Sequence, residues 1–150
     1  MERRWQLALE AVEGGTGAVL VAVVEASGSV PGTPGAMMGV TAEQTAGTVG
    51  GGVAEAAMVD AARGGVERPE LRAFDHTAET SGSLCSGRQV MALVPLGPGD
   101  RSRLEAIATA VSARRPATLR LSPRGLEVEP GRASAPAFAE EDHAWEWVDT

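Results

Sequence analysis

The chain has 150 residues, of which 43% are hydrophobic and 22% charged; this composition is that of one globular domain and excludes a disordered chain. Its formal net charge of −7 and the absence of a run of basic residues argue against nucleic acid and anionic membranes as partners. The one cysteine, Cys85, cannot form an internal disulfide, and the N-terminus lacks the apolar core of a signal peptide. We therefore expect a cytoplasmic protein.

The first part of the chain alternates between helical and strand patterns. Residues 2–13 place apolar side chains at helical spacing, and the Val-rich run at residues 17–26 predicts a strand buried on both faces. The glycines and prolines of residues 27–35 predict a loop. Short strands are expected at residues 36–41 and 47–49.

Helices and strands continue to alternate further along. The Ala-rich segment at residues 53–63 predicts a helix that ends at a glycine pair, and residues 70–74 indicate a strand. Residues 76–87 are predicted to form a polar loop, which contains the cysteine. Residues 89–96 predict a strong strand, and Asp100 suits the N-cap of a last helix.

The C-terminal part adds a hairpin and a tail. Two apolar segments flank residues 122–125, whose Pro and Gly indicate a turn. Together the patterns predict an α/β fold, a single domain with a mixed β-sheet flanked by helices. We assign the helix and hairpin to a domain of residues 1–131 and expect residues 132–150 to form an acidic, Ala- and Pro-rich tail. This tail is expected to be loosely attached, except where Trp145 and Trp147 dock.

The segment from Gly47 to Glu55, GTVGGGVAE, is the first candidate for a binding site. Glycines let a ligand approach the backbone, and the first turn of the following helix has N–H groups without intrahelical partners. These features favour an anion such as phosphate. A tight turn without a ligand is the alternative, since the spacing matches neither a P-loop nor a dinucleotide fingerprint. Glu55 is more simply a helix-stabilising acid than a ligand contact.

Cys85 is the second candidate, because it lies among serines and glycines rather than in an apolar run. The nearby Arg88 would favour a thiolate, which could bind a soft metal, carry sulfur or act as a nucleophile. His76 and His143 have no metal-ligand spacing, and we expect both to be ordinary surface residues.

Three segments taken together are more specific than any one of them. They are GSVPGTPGAMM at residues 28–38, GTVGGGVAE at 47–55 and LCSGRQVMALVPL at 84–96. In order and spacing they resemble the patterns GSxPRxxGAKM, GTIGGGxxE and CGGxVxVxxEPL. These patterns belong to the N-terminal domain of the XdhC/CoxI family, the accessory proteins of xanthine dehydrogenase and related molybdenum hydroxylases. The resemblance covers residues 1 to about 100.

The resemblance implies a role in enzyme maturation. Such proteins bind molybdenum cofactor, a pterin dithiolene complex of molybdenum that ends in a phosphate. They hold it while an oxo ligand is replaced by sulfur and then pass it to the apo-hydroxylase. This implies a metal-binding chaperone rather than an enzyme, with Cys85 as the residue near molybdenum. The residues that the resemblance implies in cofactor binding are Gly28, Ser29, Pro31, Met38, Gly50, Gly51, Gly52, Glu55, Cys85 and Arg88.

The resemblance also implies partners. The first is an apo molybdenum hydroxylase, and a cysteine desulfurase would supply the sulfur. Full-length family members usually continue into a Rossmann-like domain, which this sequence does not contain. The chain is therefore expected to be either a stand-alone version or one half of a split pair, whose other half would be a separate Rossmann-type chain. A homodimer is a further expectation.

The sequence departs from the family patterns at four positions. Gly32 and Met37 stand where the patterns have basic residues, Ser86 replaces a glycine, and Val53 stands where Cys or His is frequent. Loss of two positive charges is expected to weaken the binding of an anionic cofactor, by about 1 kcal/mol or more for each direct contact. Arg88 is expected to compensate in part.

Two other classes of function remain open. One is a thiol enzyme or sulfur carrier that uses Cys85, for which His76 or Glu55 would have to serve as the base. The other is a scaffold or regulatory domain that keeps the fold without the ligand, which the loss of the basic residues favours.

Overall fold

The computed structural model describes residues 2–30, 32–76, 87–131, 137–141 and 144–149. The helices are α1 (Glu2–Glu13), α2 (Gly52–Arg63) and α3 (Arg101–Ser112), the last preceded by a 3₁₀ turn at Pro98–Asp100. The strands of the first half are β1 (Ala18–Gly28), β2 (Met37–Val40), β3 (Thr45–Gly47), β4 (Glu70–His76) and β5 (Gly87–Leu96). Those that follow are β6 (Ala117–Ser122), β7 (Gly125–Pro130), β8 (Ala137–Glu141) and β9 (Ala144–Asp149).

The strands form two sheets. The first has the order β3-β2-β1-β5-β4 and the second the order β7-β6-β9-β8. Every strand pair among the described residues is antiparallel. β1 lies in the middle of the first sheet, which explains why its sequence is apolar on both faces. The prediction of a single α/β domain with helices flanking a sheet is confirmed.

Each face of the first sheet has its own core. On one face, Ala54 and Met58 of α2 pack against side chains such as Val21 and Met91. On the other face, Leu20 and Ala92 join a larger cluster with α1, α3 and the second sheet. The two cores arise because successive side chains of a strand point to opposite faces, and both faces of β1 and β5 are covered.

Several element bounds differ from those expected. The third strand is at Thr45–Gly47 rather than residues 47–49, because β3 pairs with β2 from Thr45 to Gly47 and leaves residues 48–51 as the turn into α2. β4 extends to His76, where it pairs with Gly87 of β5.

The expectation of a loosely attached tail is wrong at β8, whereas β9 contains Trp145 and Trp147, the residues that were expected to dock. These strands form an antiparallel hairpin, and β9 pairs with β6 from Leu119 to Leu121, so they extend the second sheet. The physical reason is that β6 offers a free edge that backbone hydrogen bonds can satisfy. The side chains of Trp145 and Trp147 and all of His143 lie outside the described residues.

Candidate functional site

The three segments singled out in the sequence come together at β5 of the first sheet. β1 ends at Gly28, opposite the start of β5 at Gly87, whereas β2 begins at Met37 opposite Ala22, and β3 ends at Gly47 opposite Met38. The amino end of α2 follows from β3 through the glycine turn, defined here as residues 48–51. Hydrogen bonds from Gln89 of β5 to Gly32 and Val49 bring the loop after β1 and the glycine turn together next to β5.

The GSVP segment lies against the start of β5. Gly28 pairs with Gly87, and a Cβ at Gly87 would lie 2.4 Å from the Ser27 carbonyl oxygen and 2.9 Å from the Ser29 nitrogen. No larger residue fits at Gly87 without movement of the backbone. The segment that contains Gly28 and Ser29 is thus in direct contact with the residue two positions after Cys85.

The glycine turn exposes its backbone on one side. Gly50, Gly51 and Gly52 all have positive φ, which favours glycine over any residue with a side chain. A Cβ at Gly51 or Gly52 would meet no atom within 4 Å, so the space beside both residues is open. This open flank adjoins the first N–H groups of α2, which has no side-chain cap among the described contacts.

Glu55 occupies part of the donor set of this turn. Its Oε1 accepts hydrogen bonds from the Thr48 hydroxyl at 2.6 Å, the Val49 amide at 2.9 Å and the Gly51 amide at 3.2 Å. The Gly50 amide donates to the Thr48 hydroxyl at 3.0 Å. An internal carboxylate therefore fills the inner side of the turn, and the N–H groups of the first turn of α2, including those of Gly52 and Val53, remain for an external anion.

The same hydrogen bonds set the charge of Glu55. Burial by itself would raise its pKa, but the hydrogen bonds from Thr48, Val49 and Gly51 outweigh burial and hold the pKa below the ordinary value. The carboxylate is thus ionised at neutral pH. Glu55 acts here as a structural anion of the turn, in line with the simpler interpretation of its position.

We expect Glu55→Gln to remove a pH-dependent part of the stability. The folded-state pKa of Glu55 is lowered. The contribution of its carboxylate to the free energy of unfolding is therefore complete above the unfolded-state pKa, and it is lost as pH falls through the folded-state pKa. At neutral pH the loss should be about 0.5–2 kcal/mol, as for a helix cap. The check is the free energy of unfolding of both proteins as a function of pH.

The control for this variant is Asp60→Asn, which neutralises an exposed acid on the same helix. It should leave the pH profile close to that of the wild type. A constant difference between wild type and Glu55→Gln from neutral to acid pH would contradict the role assigned to the carboxylate.

Gln89 connects the segments below the surface, and the sequence analysis did not identify it. Its side chain is fully buried (0% exposed) and donates from Nε2 to the carbonyl oxygens of Gly32 at 3.0 Å and Val49 at 3.4 Å. Its Oε1 is hydrogen-bonded to Nε2 of His76. A polar residue inside an otherwise apolar strand pattern, Gln89 in QVMALV, was the available signal.

The expectation that His76 is a surface residue is wrong. His76 is 4% exposed, its ring meets Phe74 edge to face at 4.9 Å between centroids, and it bonds to Gln89. The reason is that β4 extends to His76, so that the His76 side chain lies on the α2 face of the sheet. There it donates a hydrogen bond to the buried Oε1 of Gln89.

Gly32 lies against the glycine turn. A Cβ at Gly32 would be 2.1 Å from the Val49 carbonyl oxygen and 2.9 Å from Nε2 of Gln89. A basic side chain at this position is therefore excluded by the present path of the loop. Gly32 lets the loop between β1 and β2 close onto the turn.

Met37 and Met38 point to opposite faces of the sheet. Met38 belongs to the core under α2 and thus lies on the face of the glycine turn. Met37 is 6% exposed and belongs to the core under α1. A basic side chain at residue 37 would consequently lie on the face away from the turn.

Arg88 also lies away from the turn. Side chains alternate along β5, and Gln89, Met91 and Leu93 face α2. Arg88 therefore shares the opposite face with Val90, and its side chain is exposed. The structure does not bring Arg88 to the Gly51–Gly52 flank, so its expected compensation for lost charge has no contact to support it.

Two of the expected site residues, Pro31 and Cys85, lie outside the described residues, as does Ser86. Within the described part of the chain, no group of three or more His, Cys, Asp or Glu side chains could hold a metal ion. Among the same residues, no helix is long and apolar enough to cross a membrane.

Comparisons with known proteins found a matching family and a similar solved structure. The model of the XdhC and CoxI family matches residues 11–75. A crystal structure of a xanthine dehydrogenase from Bacillus halodurans is similar with a TM-score of 0.63 at 17% identity, covering 98% of this chain and 52% of that chain. At that identity the likeness concerns the fold, and this chain spans about half of that protein. No curated protein matches the chain.

Proposed function

We propose, from the premise that residues 11–75 belong to the XdhC and CoxI family, that this protein is a maturation factor of a xanthine dehydrogenase-type molybdenum hydroxylase. In this role it binds molybdenum cofactor and delivers it to the apo-hydroxylase. The cofactor is cargo, and it supplies the molybdenum centre of the hydroxylase once it is transferred.

The observation that carries the proposal is that Gln89, close to the start of β5, hydrogen-bonds Gly32 in the loop after β1 and Val49 in the glycine turn, while Gly28 pairs with Gly87. Residues that belong to three separate family patterns thus border one surface. Positive-φ glycines with open space beside them leave the amino end of α2 accessible from outside, which supports a ligand at this surface.

The phosphate end of the cofactor fits the Gly51–Gly52 flank. The space beside both glycines is open, and the N–H groups of Gly52 and Val53 are at the positive end of the α2 dipole. Glu55 holds the inner amides of the turn and so keeps the outer ones in place. The ionised Glu55 also places a negative charge nearby, which opposes a strongly charged ligand.

The molybdenum end is assigned to Cys85 by resemblance. Gly87, the first described residue after it in sequence, lies in contact with Ser29. A thiolate is a soft ligand that suits molybdenum bound to dithiolene sulfur. Gly28, Ser29 and Pro31 would form the facing loop.

A second candidate function is a ligand-free scaffold or regulatory domain. Three observations favour it: Glu55 already bonds the inner amides, Gly32 is closed onto Val49, and Met37 and Arg88 face away from the turn. No basic side chain among the residues described is placed by these contacts at the Gly51–Gly52 flank.

The proposed function is tested by measuring how much cofactor the purified protein contains. The protein purified from a molybdenum-replete host is expected to carry pterin and molybdenum in nearly equal amounts, and Cys85→Ala should lose at least about tenfold of both, as for the loss of a metal ligand. Pterin is measured by fluorescence after oxidation and molybdenum by mass spectrometry. Ser86→Ala, the adjacent small-residue change, is the matched control and should retain the cofactor.

The outcomes separate the candidates. Pterin that is lost in Cys85→Ala but kept in Ser86→Ala supports delivery of the cofactor. Absence of pterin and molybdenum in all three proteins supports the scaffold. A thiol-dependent activity that disappears in Cys85→Ala without any bound pterin would support the enzyme.

A further inference from the structure

The buried side chain of Gln89 touches both loops of the candidate site. It is 0% exposed, and its Nε2 reaches Gly32 in the loop between β1 and β2 and Val49 in the glycine turn. These partners are 57 and 40 positions away from Gln89 in sequence. No other described side chain donates to the backbone of both segments.

The orientation of the Gln89 amide is determined by its surroundings. Gly32 and Val49 both present carbonyl oxygens, which can only accept, so the two N–H groups of the amide must face them. Oε1 then faces His76, whose Nε2 must carry the proton and donate. All of these hydrogen-bonding groups of the amide are used, and none can be exchanged without leaving a buried group unsatisfied.

At Gly32 the loop between β1 and β2 packs tightly against the glycine turn. The Cα of Gly32 rests against the Val49 carbonyl, which leaves no room for a side chain, while the open flank lies on the outer side at Gly51 and Gly52. The Gln89 amide thus lies beneath the site and joins its two walls, whereas the ligand-facing side remains free.

We infer that Gln89 is a positioning residue: it fixes the loop between β1 and β2 against the glycine turn, and His76 fixes Gln89. This inference rests on the proposed function for its ligand, but the coupling of the two loops is a property of the chain itself. Without Gln89 the two walls move independently, and a ligand that spans them must order them on binding.

The experiment compares Gln89→Met with Val94→Ala. Gln89→Met keeps the length of the side chain and removes all three hydrogen bonds. Val94, which is 0% exposed, lies on the same strand but packs in the core on the opposite face of the sheet, so Val94→Ala destabilises a core to which neither loop contributes. The readouts are amide hydrogen exchange in residues 29–36 and 47–52 and the affinity for molybdenum cofactor released from a purified molybdenum enzyme.

We expect Gln89→Met to raise exchange in these two segments at least about tenfold relative to α3 and to weaken cofactor binding about tenfold. Val94→Ala should lower the unfolding midpoint while leaving the relative exchange and the affinity unchanged. His76→Leu, which removes only the support of the amide, should give a smaller effect in the same direction.

Two results would overturn the inference. One is an unchanged relative exchange of both segments in Gln89→Met. The other is a raised exchange with wild-type affinity, which would make Gln89 merely structural. If the wild type itself binds no cofactor, the proposed function fails, and the exchange data alone then decide whether Gln89 couples the loops.

Discussion

Gly32→Ala should destabilise the protein by about 1–3 kcal/mol, the usual cost of an added methyl group that a packed site cannot accept. The added Cβ would come within 2.1 Å of the Val49 carbonyl oxygen, so the loop between β1 and β2 must move away from the turn. That movement also breaks the hydrogen bond from Gln89 to Gly32 and leaves a buried amide donor without its partner. Gly32→Arg, which introduces the basic residue of the family pattern, should destabilise at least as much.

A matched control for this substitution is Gly99→Ala. A Cβ at Gly99 would meet no atom within 4 Å, and its φ is not positive, so this change should be neutral or slightly stabilising. Urea unfolding of the three variants and the wild type measures the difference. Equal stability of Gly32→Ala and Gly99→Ala would show that the loop does not rest on Val49.

Met37→Lys is expected to have a larger effect, a loss of about 3 kcal/mol or more, because it buries a charge without a partner. Met37 is 6% exposed in the core under α1, and Nη1 of Arg4 donates to its carbonyl oxygen at 3.0 Å. The new ammonium group would therefore leave water and lie near a second cation. Although this variant introduces the other basic residue of the family pattern, it should not bring a charge to the Gly51–Gly52 flank.

The control for Met37→Lys is Met37→Leu, which keeps the apolar volume and should cost less than about 1.5 kcal/mol. Thermal unfolding compares the two. A Met37→Lys protein as stable as Met37→Leu would mean that the side chain at residue 37 can reach solvent, and basic residues here would then be available to a ligand.

The helices and strands can be predicted from the local pattern of apolar residues and glycines. The Val-rich run of β1 and the strand at β5 were predicted because burial on both faces leaves a continuous apolar sequence, and α2 because alanines between glycines favour a helix. The three segments of the candidate site each end a strand or begin a helix, which local pattern also predicts, while the site itself stays a prediction. Pro31 and Cys85, which lie outside the described residues, stay predictions.

The contacts inside the site did not follow from local pattern, since they depend on partners distant in sequence. Nothing in the local sequence of Gln89 or His76 predicts that they contact each other. They do so because the sheet places both on one face, where Gln89 also bonds Gly32. The binding of Glu55 to the turn requires the positive φ of the glycines, which the sequence permits without imposing. β9 likewise becomes a strand only because β6 has a free edge.

The position of β5 also determines how much of the chain is needed for folding. β5 lies between β1 and β4, and its ladder joins Gly28 to Gly87 and Ala18 to Leu96. The family-matched residues 11–75 contain β1 and most of β4 but not the strand that separates them. During synthesis, the apolar strand β1 leaves the ribosome about 70 residues before β5 is complete. Until β5 pairs with it, the nascent chain exposes an unpaired, aggregation-prone strand edge.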